Sequence, residues 1–209
     1  MNTSPASVKT LITPYDQTIR GVFSSQRAFY IDIYQREYKW TAENVRTLLN
    51  DVEVRFNQHQ RTKTQFKDVQ QEVLEKFEPY FLDTFLTATT SAHTAIVDGQ
   101  QRLTTFLLIF IKLYRILKDQ GALDENKGKV FSSNTVGQLI FESSDSGDAE
   151  RFKIYNPNRE DAFRALVEGK TVKKNDQTCT RIAENYTIIS DYFDRLRNSC
   201  GLIRYSSTR

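Results

Sequence analysis

The chain has few of the residues that staple or break a fold. Its 209 residues hold two cysteines, Cys179 and Cys200, with no CxxC pairing. That excludes a zinc site made of cysteine alone and offers no disulfide framework, so two reduced thiols in a cytoplasmic protein are expected. Four prolines and eight glycines are too few for a collagen-like or low-complexity chain. The most apolar run, Leu103 to Ile111, halts at Lys112, far short of the roughly 20 residues a bilayer requires. No membrane partner is expected, and Met1 to Pro5 shows no basic-then-apolar export signal. Charge of one sign is also lacking. Basic residues number 29 against 26 acidic ones, a net +3 that rules out charge-driven disorder. A pI of 8.8 permits contact with nucleic acid, but a strongly basic footprint would be more lopsided. Histidine is scarce: His59 sits between two glutamines, as a surface residue does, and His93 lies in an expected turn. No Ser/His/Asp constellation and no Walker-type glycine-rich loop is present, so acyl transfer and a P-loop fit poorly.

What is present organises into one α+β domain, residues 29–209, after a polar lead-in over 1–28. Phe29, Ile31 and Ile33 alternate with Tyr30, Asp32 and Tyr34, the period of a half-buried strand. Thr41 as N-cap and Glu43 in the first turn open a helix whose apolar face is Val45, Leu48, Leu49, Val52 and Phe56. A polar stretch over 57–67 leads to a weaker helix, Asp68–Glu78, closed by Pro79. The β-branched and aromatic content of Tyr80–Val97 predicts two strands with a turn near Ser91–His93. Leu103 through Leu117 is apolar on nearly every side, the mark of a buried helix. Residues 121–150 hold four glycines, and their acidic run from Glu142 to Asp148 reads as a solvated loop. Phe152–Tyr155 is a short strand candidate; Asn156, Pro157 and Gly169 bracket a further helix. Ile182, Tyr186, Ile189, Phe193 and Leu196 step by 4, 3, 4 and 3 along an amphipathic last helix. The stretch Arg195–Arg209 holds four arginines and no acid.

Chemistry concentrates in two places. At Ile96–Thr105 a strand delivers Asp98 and Gly99, and polar residues then occupy the first turn of the buried helix. Unsatisfied N–H groups and the macrodipole make such a start an anion site. Gly99 would let a ligand approach the backbone, Arg102 offers a planar fork to phosphate oxygens, and Asp98 suits a divalent cation. The plainer reading is that Asp98 caps the helix and Arg102 is a surface arginine. The second place is Gln35-Arg36, where Tyr34, Tyr38 and Trp40 offer a stacking face for a base. Its plainer reading is a loop whose rings plug the core.

Together these segments resemble a known family. Tyr34-Gln35-Arg36-Glu37-Tyr38-Lys39-Trp40 before a helix, Tyr80-Phe81-Leu82, and Asp98-Gly99-Gln100-Gln101-Arg102-Leu103-Thr104-Thr105 are similar to the N-terminal domain of GmrSD-type restriction proteins. These belong to the ParB/sulfiredoxin-like group marked by a DGQQR box. Weaker likeness continues through Phe152–Gly169 and Asn185-Tyr186. The resemblance implies a small mixed β-sheet packed with helices and a C-terminal helical extension. It also implies a nucleoside-triphosphate-binding and hydrolysing sensor of phage defence, using GTP, CTP or UTP rather than ATP, with Mg2+. By that analogy Gln35, Arg36, Gly99 and Arg102 bind the nucleotide, the two arginines neutralising phosphate charge. Asp98 positions Mg2+ or the attacking water, Gln100 or Gln101 orients that water or a phosphate oxygen, and Thr105 serves helix packing. Two departures stand out. Asp83 occupies a place where the family commonly has glycine, and neither His59 nor His93 lies in an HNH context. A nuclease half is therefore expected as a partner in cis or in trans, with DNA a further candidate partner. The competing function is a non-catalytic DNA- or protein-binding module, the basic stretch after Arg195 contacting phosphates; a purely structural scaffold comes third.

Overall fold

A computed structural model describes residues 12–25, 28–32, 35, 37–61, 80–91, 93–119, 132–142 and 150–199. Its centre is a four-stranded mixed sheet of β1 (Phe29–Tyr30), β2 (Leu86–Thr89), β3 (Thr94–Asp98) and β4 (Ile154–Tyr155), in the order β2-β3-β1-β4. β1 runs parallel to both β3 and β4, with Phe29 opposite Thr94 and Ile154, while β2 is antiparallel to β3. The hairpin expected within Tyr80–Val97 is present: at its turn Thr90 N–H and Oγ1 both donate to the His93 carbonyl, at 2.9 and 3.0 Å. β1 is shorter than its alternating pattern indicates. The Ile31 N–H still reaches the Tyr155 carbonyl at 2.9 Å, but the Asp32 carbonyl accepts the Gln35 N–H at 3.0 Å rather than a bond from a neighbouring strand.

Among the described residues, six helices surround the sheet. α1 (Ile19–Phe23) falls in the stretch read as lead-in. Five residues are too few to register a helical period, and what holds α1 is burial: Val22 and Phe23 are in the core, and Phe23 meets the Phe110 ring edge-on at 4.9 Å. In α2 (Ala42–Arg61), Asn44 Oδ1 reaches back to accept from both N–H and Oγ1 of Thr41, each at 2.9 Å. Val45, Leu48 and Leu49 are buried as expected, but Val52 and Phe56 are 44% and 46% exposed because the helix outruns the core beneath it. It also continues through 57–61, where a polar break was expected. The helix expected over 68–78 lies outside the described residues.

α3 (Gln100–Asp119) is the axis of the domain, with Leu107, Leu108 and Ile111 fully buried. Helices cover it on several sides, which is why its sequence is apolar all round. α4 (Ser133–Ile140) is a helix in a segment to which the sequence pattern assigned no element. Gly137 at its centre lowers helix propensity, yet Ser132 Oγ caps it by accepting the Thr135 N–H at 3.0 Å, and Val136 and Ile140 bury its inner face. α5 (Pro157–Glu168) begins and ends as its sequence signals. Asn156 Oδ1 accepts the Asn158 N–H at 3.0 Å, and Gly169 closes the helix at φ +75° in the left-handed region. α6 (Gln177–Ser199) is no appendage: Ile182, Asn185 and Ile189 are completely buried against the domain. Among the described residues, no helix is long and apolar enough to cross a membrane.

Candidate functional site

β3 lies between β2 and β1, so its C-terminal end delivers Asp98 to the rim of the sheet and α3 starts immediately behind it. The corner requires glycine. Gly99 has φ +88°, and a Cβ there would come within 2.6 Å of Phe85 Cβ. Phe85 occupies the place a Cβ would take, so the corner itself demands glycine. The Leu103 N–H bonds the Gly99 carbonyl at 3.1 Å and closes the first turn. A cleft of about 460 Å³ opens over this turn, lined by Gln35, Trp40, Val97 and residues 98–102. Five of the expected site residues, Asp98, Gly99, Gln100, Gln101 and Arg102, therefore meet Gln35 around one cleft. Arg36 and Tyr34 lie outside the described residues.

Their side chains differ in how they are engaged. Asp98 is exposed, with Oδ1 accepting the Gly99 N–H at 2.8 Å. Arg102 Nη2 donates to Asp83 Oδ2 at 2.9 Å and Nη1 to the Thr84 carbonyl at 3.4 Å. Asp83 has φ +76°, backbone that favours glycine. An aspartate tolerates it because its short side chain bonds locally, Oδ1 accepting the Thr84 N–H at 2.8 Å. That N–H first, and then the Arg102 guanidinium, hold the Asp83 carboxyl below the usual carboxylate range.

The two glutamines of the first turn are not equivalent. Gln101 Oε1 accepts from Lys39 N–H at 2.7 Å and Trp40 N–H at 3.2 Å, while its Nε2 donates to the Glu37 carbonyl at 2.8 Å. Its amide is a clamp on the 37–40 loop. Gln100 is 93% buried, and its Oε1 has no hydrogen-bond partner among the described residues. Gln35 Nε2 donates to the Ile96 carbonyl at 2.6 Å, and its Oε1 is likewise buried without a described partner.

Of the three rings expected as a stacking face, Trp40 lines the cleft and Tyr38 does not. Tyr38 is fully buried, its OH 2.8 Å from Thr105 Oγ1 and accepting from Asn185 Nδ2 at 3.1 Å. Burial raises the Tyr38 pKa above its ordinary value, so the hydroxyl stays protonated. Thr105 adds a 2.9 Å bond to the Gln101 carbonyl, and the adjacent Thr104 accepts from the buried Arg159 guanidinium at 3.2 Å. Desolvation pulls the Arg159 pKa down to about 10. His93 stands away from the cleft, its ring 4.7 Å from that of Tyr30 and Nε2 3.9 Å from Asp32. The side chain of His59 lies outside the described residues.

Sequence reasoning missed Asp83 as the partner of Arg102 and Asn185 as part of the loop's support. For Asn185 there was a signal: it is a polar residue on the apolar stripe, between Ile182 and Ile189. Among the described residues no three carboxylates, histidines or cysteines group tightly enough to hold a metal ion by themselves.

None of the curated proteins matches the chain. A family model described as GmrSD restriction endonuclease, N-terminal domain, matches residues 19–209. That match takes in every described element, from α1 through the cleft to α6, and the chain accordingly belongs to this family of restriction, phage-defence proteins.

Proposed function

We propose that the cleft binds a nucleoside triphosphate, GTP, CTP or UTP rather than ATP, and hydrolyses its terminal phosphoanhydride as the sensing step of a restriction system. The observation that carries this reading is one cleft in which a helix N-terminus, an arginine fork and an exposed carboxylate converge on the same turn, at Asp98–Arg102. The first-turn N–H groups and the helix dipole stabilise negative charge there. Arg102 adds a bidentate donor once its exposed pairing with Asp83 yields to phosphate. Asp98 would hold Mg2+ brought in on the phosphates, which would supply charge neutralisation of the transferring group.

The engaged and unengaged amides divide the remaining roles. Gln101 positions the 37–40 loop, whereas Gln100 keeps an acceptor oxygen at the turn. Gln100, on the cleft lining, would orient the attacking water by a hydrogen bond; the water oxygen would bond the γ-phosphorus as the bond to the β–γ bridging oxygen breaks, its proton passing to the departing phosphate, giving nucleoside diphosphate and inorganic phosphate. Positioning and electrostatic stabilisation account for such catalysis. A nuclease part in cis or in trans would act on DNA in response.

The experiment is phosphate release with each nucleotide and Mg2+ by the wild-type protein, Asp98→Ala and Arg102→Ala. Each variant should lose turnover by at least about 100-fold with an unchanged melting temperature. Normal release by both variants sinks the assignment; nucleotide binding without turnover in the wild type favours a non-catalytic module.

A further inference from the structure

We infer that Trp40 is the wall on which the planar base of the ligand stacks, and that Asn185, from the last helix, is a positioning residue that holds this wall in place. The inference rests on the nucleotide reading and adds the site of the base.

Among the described residues Trp40 is the one aromatic side chain lining the cleft, and the corner beside it offers a place for the anionic end of a ligand. Every base has a π-face, so an aromatic wall next to a phosphate site accepts the other end with little dependence on which base it is. The wall is fixed to an unusual degree. Both backbone polar groups of Trp40 are bonded by side chains from different helices: its N–H donates to Gln101 Oε1 at 3.2 Å, and its carbonyl accepts from Asn185 Nδ2 at 2.8 Å. The same Nδ2 donates to Tyr38 OH, and Thr178 Oγ1, also on α6, accepts the Tyr38 N–H at 3.3 Å. Asn185 is fully buried, and its Oδ1 has no described partner. A polar residue kept in the core at that expense fits a part that sets geometry. A residue whose backbone is held on both sides and whose ring packs partly against the core has less to order when it stacks, which preserves affinity.

The protein contains a single tryptophan, so its intrinsic fluorescence reads the wall directly. The probes are GTP, CTP and UTP, each with Mg2+, and inorganic tripolyphosphate, which has the anion without the base. Nucleotide should change Trp40 emission and tripolyphosphate should not. Trp40→Leu should weaken nucleotide binding, measured calorimetrically, by roughly 5- to 150-fold while leaving tripolyphosphate affinity unchanged; Trp40→Phe should restore most of the loss. Asn185→Ala should show the same selective loss, together with a smaller nucleotide-induced emission change. Should Asn185→Ala fail to fold, Thr178→Val removes the other bond from α6 to this loop, at the Tyr38 N–H, and is held to the same selective outcome. Equal weakening of nucleotide and tripolyphosphate, or of neither, overturns the role of Trp40. A selective loss at Trp40 without one at Asn185 or Thr178 overturns the positioning role. Binding of neither probe to the wild type refutes the nucleotide reading itself, a result distinct from both.

Discussion

The rim of the cleft and the network behind it are built on opposite principles. At the rim, Arg102 reaches Asp83 across the surface, with side chains 24% and 64% exposed. Such a pair is screened by solvent and contributes little to stability, so a phosphate can take the place of the carboxylate. Behind the rim, Tyr38, Thr105 and Asn185 are wholly sealed from water. There a lost partner leaves a desolvated polar group unpaired, and the arrangement resists exchange. The residues whose chemistry is most conspicuous are the ones least committed to the fold, and those that position them are the most committed.

The sharpest test of that contrast is Gly99→Ala, at the junction of the two regions. A Cβ 2.6 Å from Phe85 Cβ and a left-handed backbone act together, so unfolding stability should fall by about 2–5 kcal/mol in urea titration. Tyr38→Phe comes next. It removes one hydroxyl from the sealed network, takes one of their two bonds from Thr105 and from Asn185, and should cost about 1–3 kcal/mol by the same measurement. Unchanged stability would mean the network is not what holds the loop.

Asp83→Asn probes the rim. Asparagine tolerates φ +76° equally well, so the melting temperature should not move, while tripolyphosphate affinity rises several-fold at low salt and less at high salt. Weaker binding would show instead that Asp83 serves the ligand. The smallest effect is expected at Cys179, beside Asp176. Burial first, and then the Asp176 carboxylate, push its thiol up to about 11. Folding thus favours the protonated thiol: the stability this group contributes is intact below its ordinary value and is lost as pH rises through about 11. Alkylation of Cys179 by iodoacetamide, mapped by mass spectrometry, should be negligible at pH 8 in the folded protein and rapid once it is unfolded in urea.

How much was legible in the sequence follows from the range of each interaction. Asn156, Pro157 and Gly169 announce α5 because capping operates within a few residues. The all-round apolar pattern of α3 likewise identifies the buried axis. α1 and α4 escaped notice because one is too short for periodicity and the other carries Gly137 at its centre, and packing decides both. β1 stops at Tyr30, and the Asp32 carbonyl is taken by the Gln35 N–H, a pairing an alternating pattern does not encode.

By itself the sequence determined the corner: Asp98 and Gly99 at a strand end, and polar residues opening an apolar helix, are matters of local propensity and capping. Only tertiary structure decided what each side chain there does. Gln101 holds a loop 61 to 64 residues away, Arg102 meets a carboxylate 19 residues back, and Asn185 reaches Trp40 across 145 residues. Hydrogen-bond partners are selected by distance in space after the core has closed, and no short-range pattern in the chain records that choice.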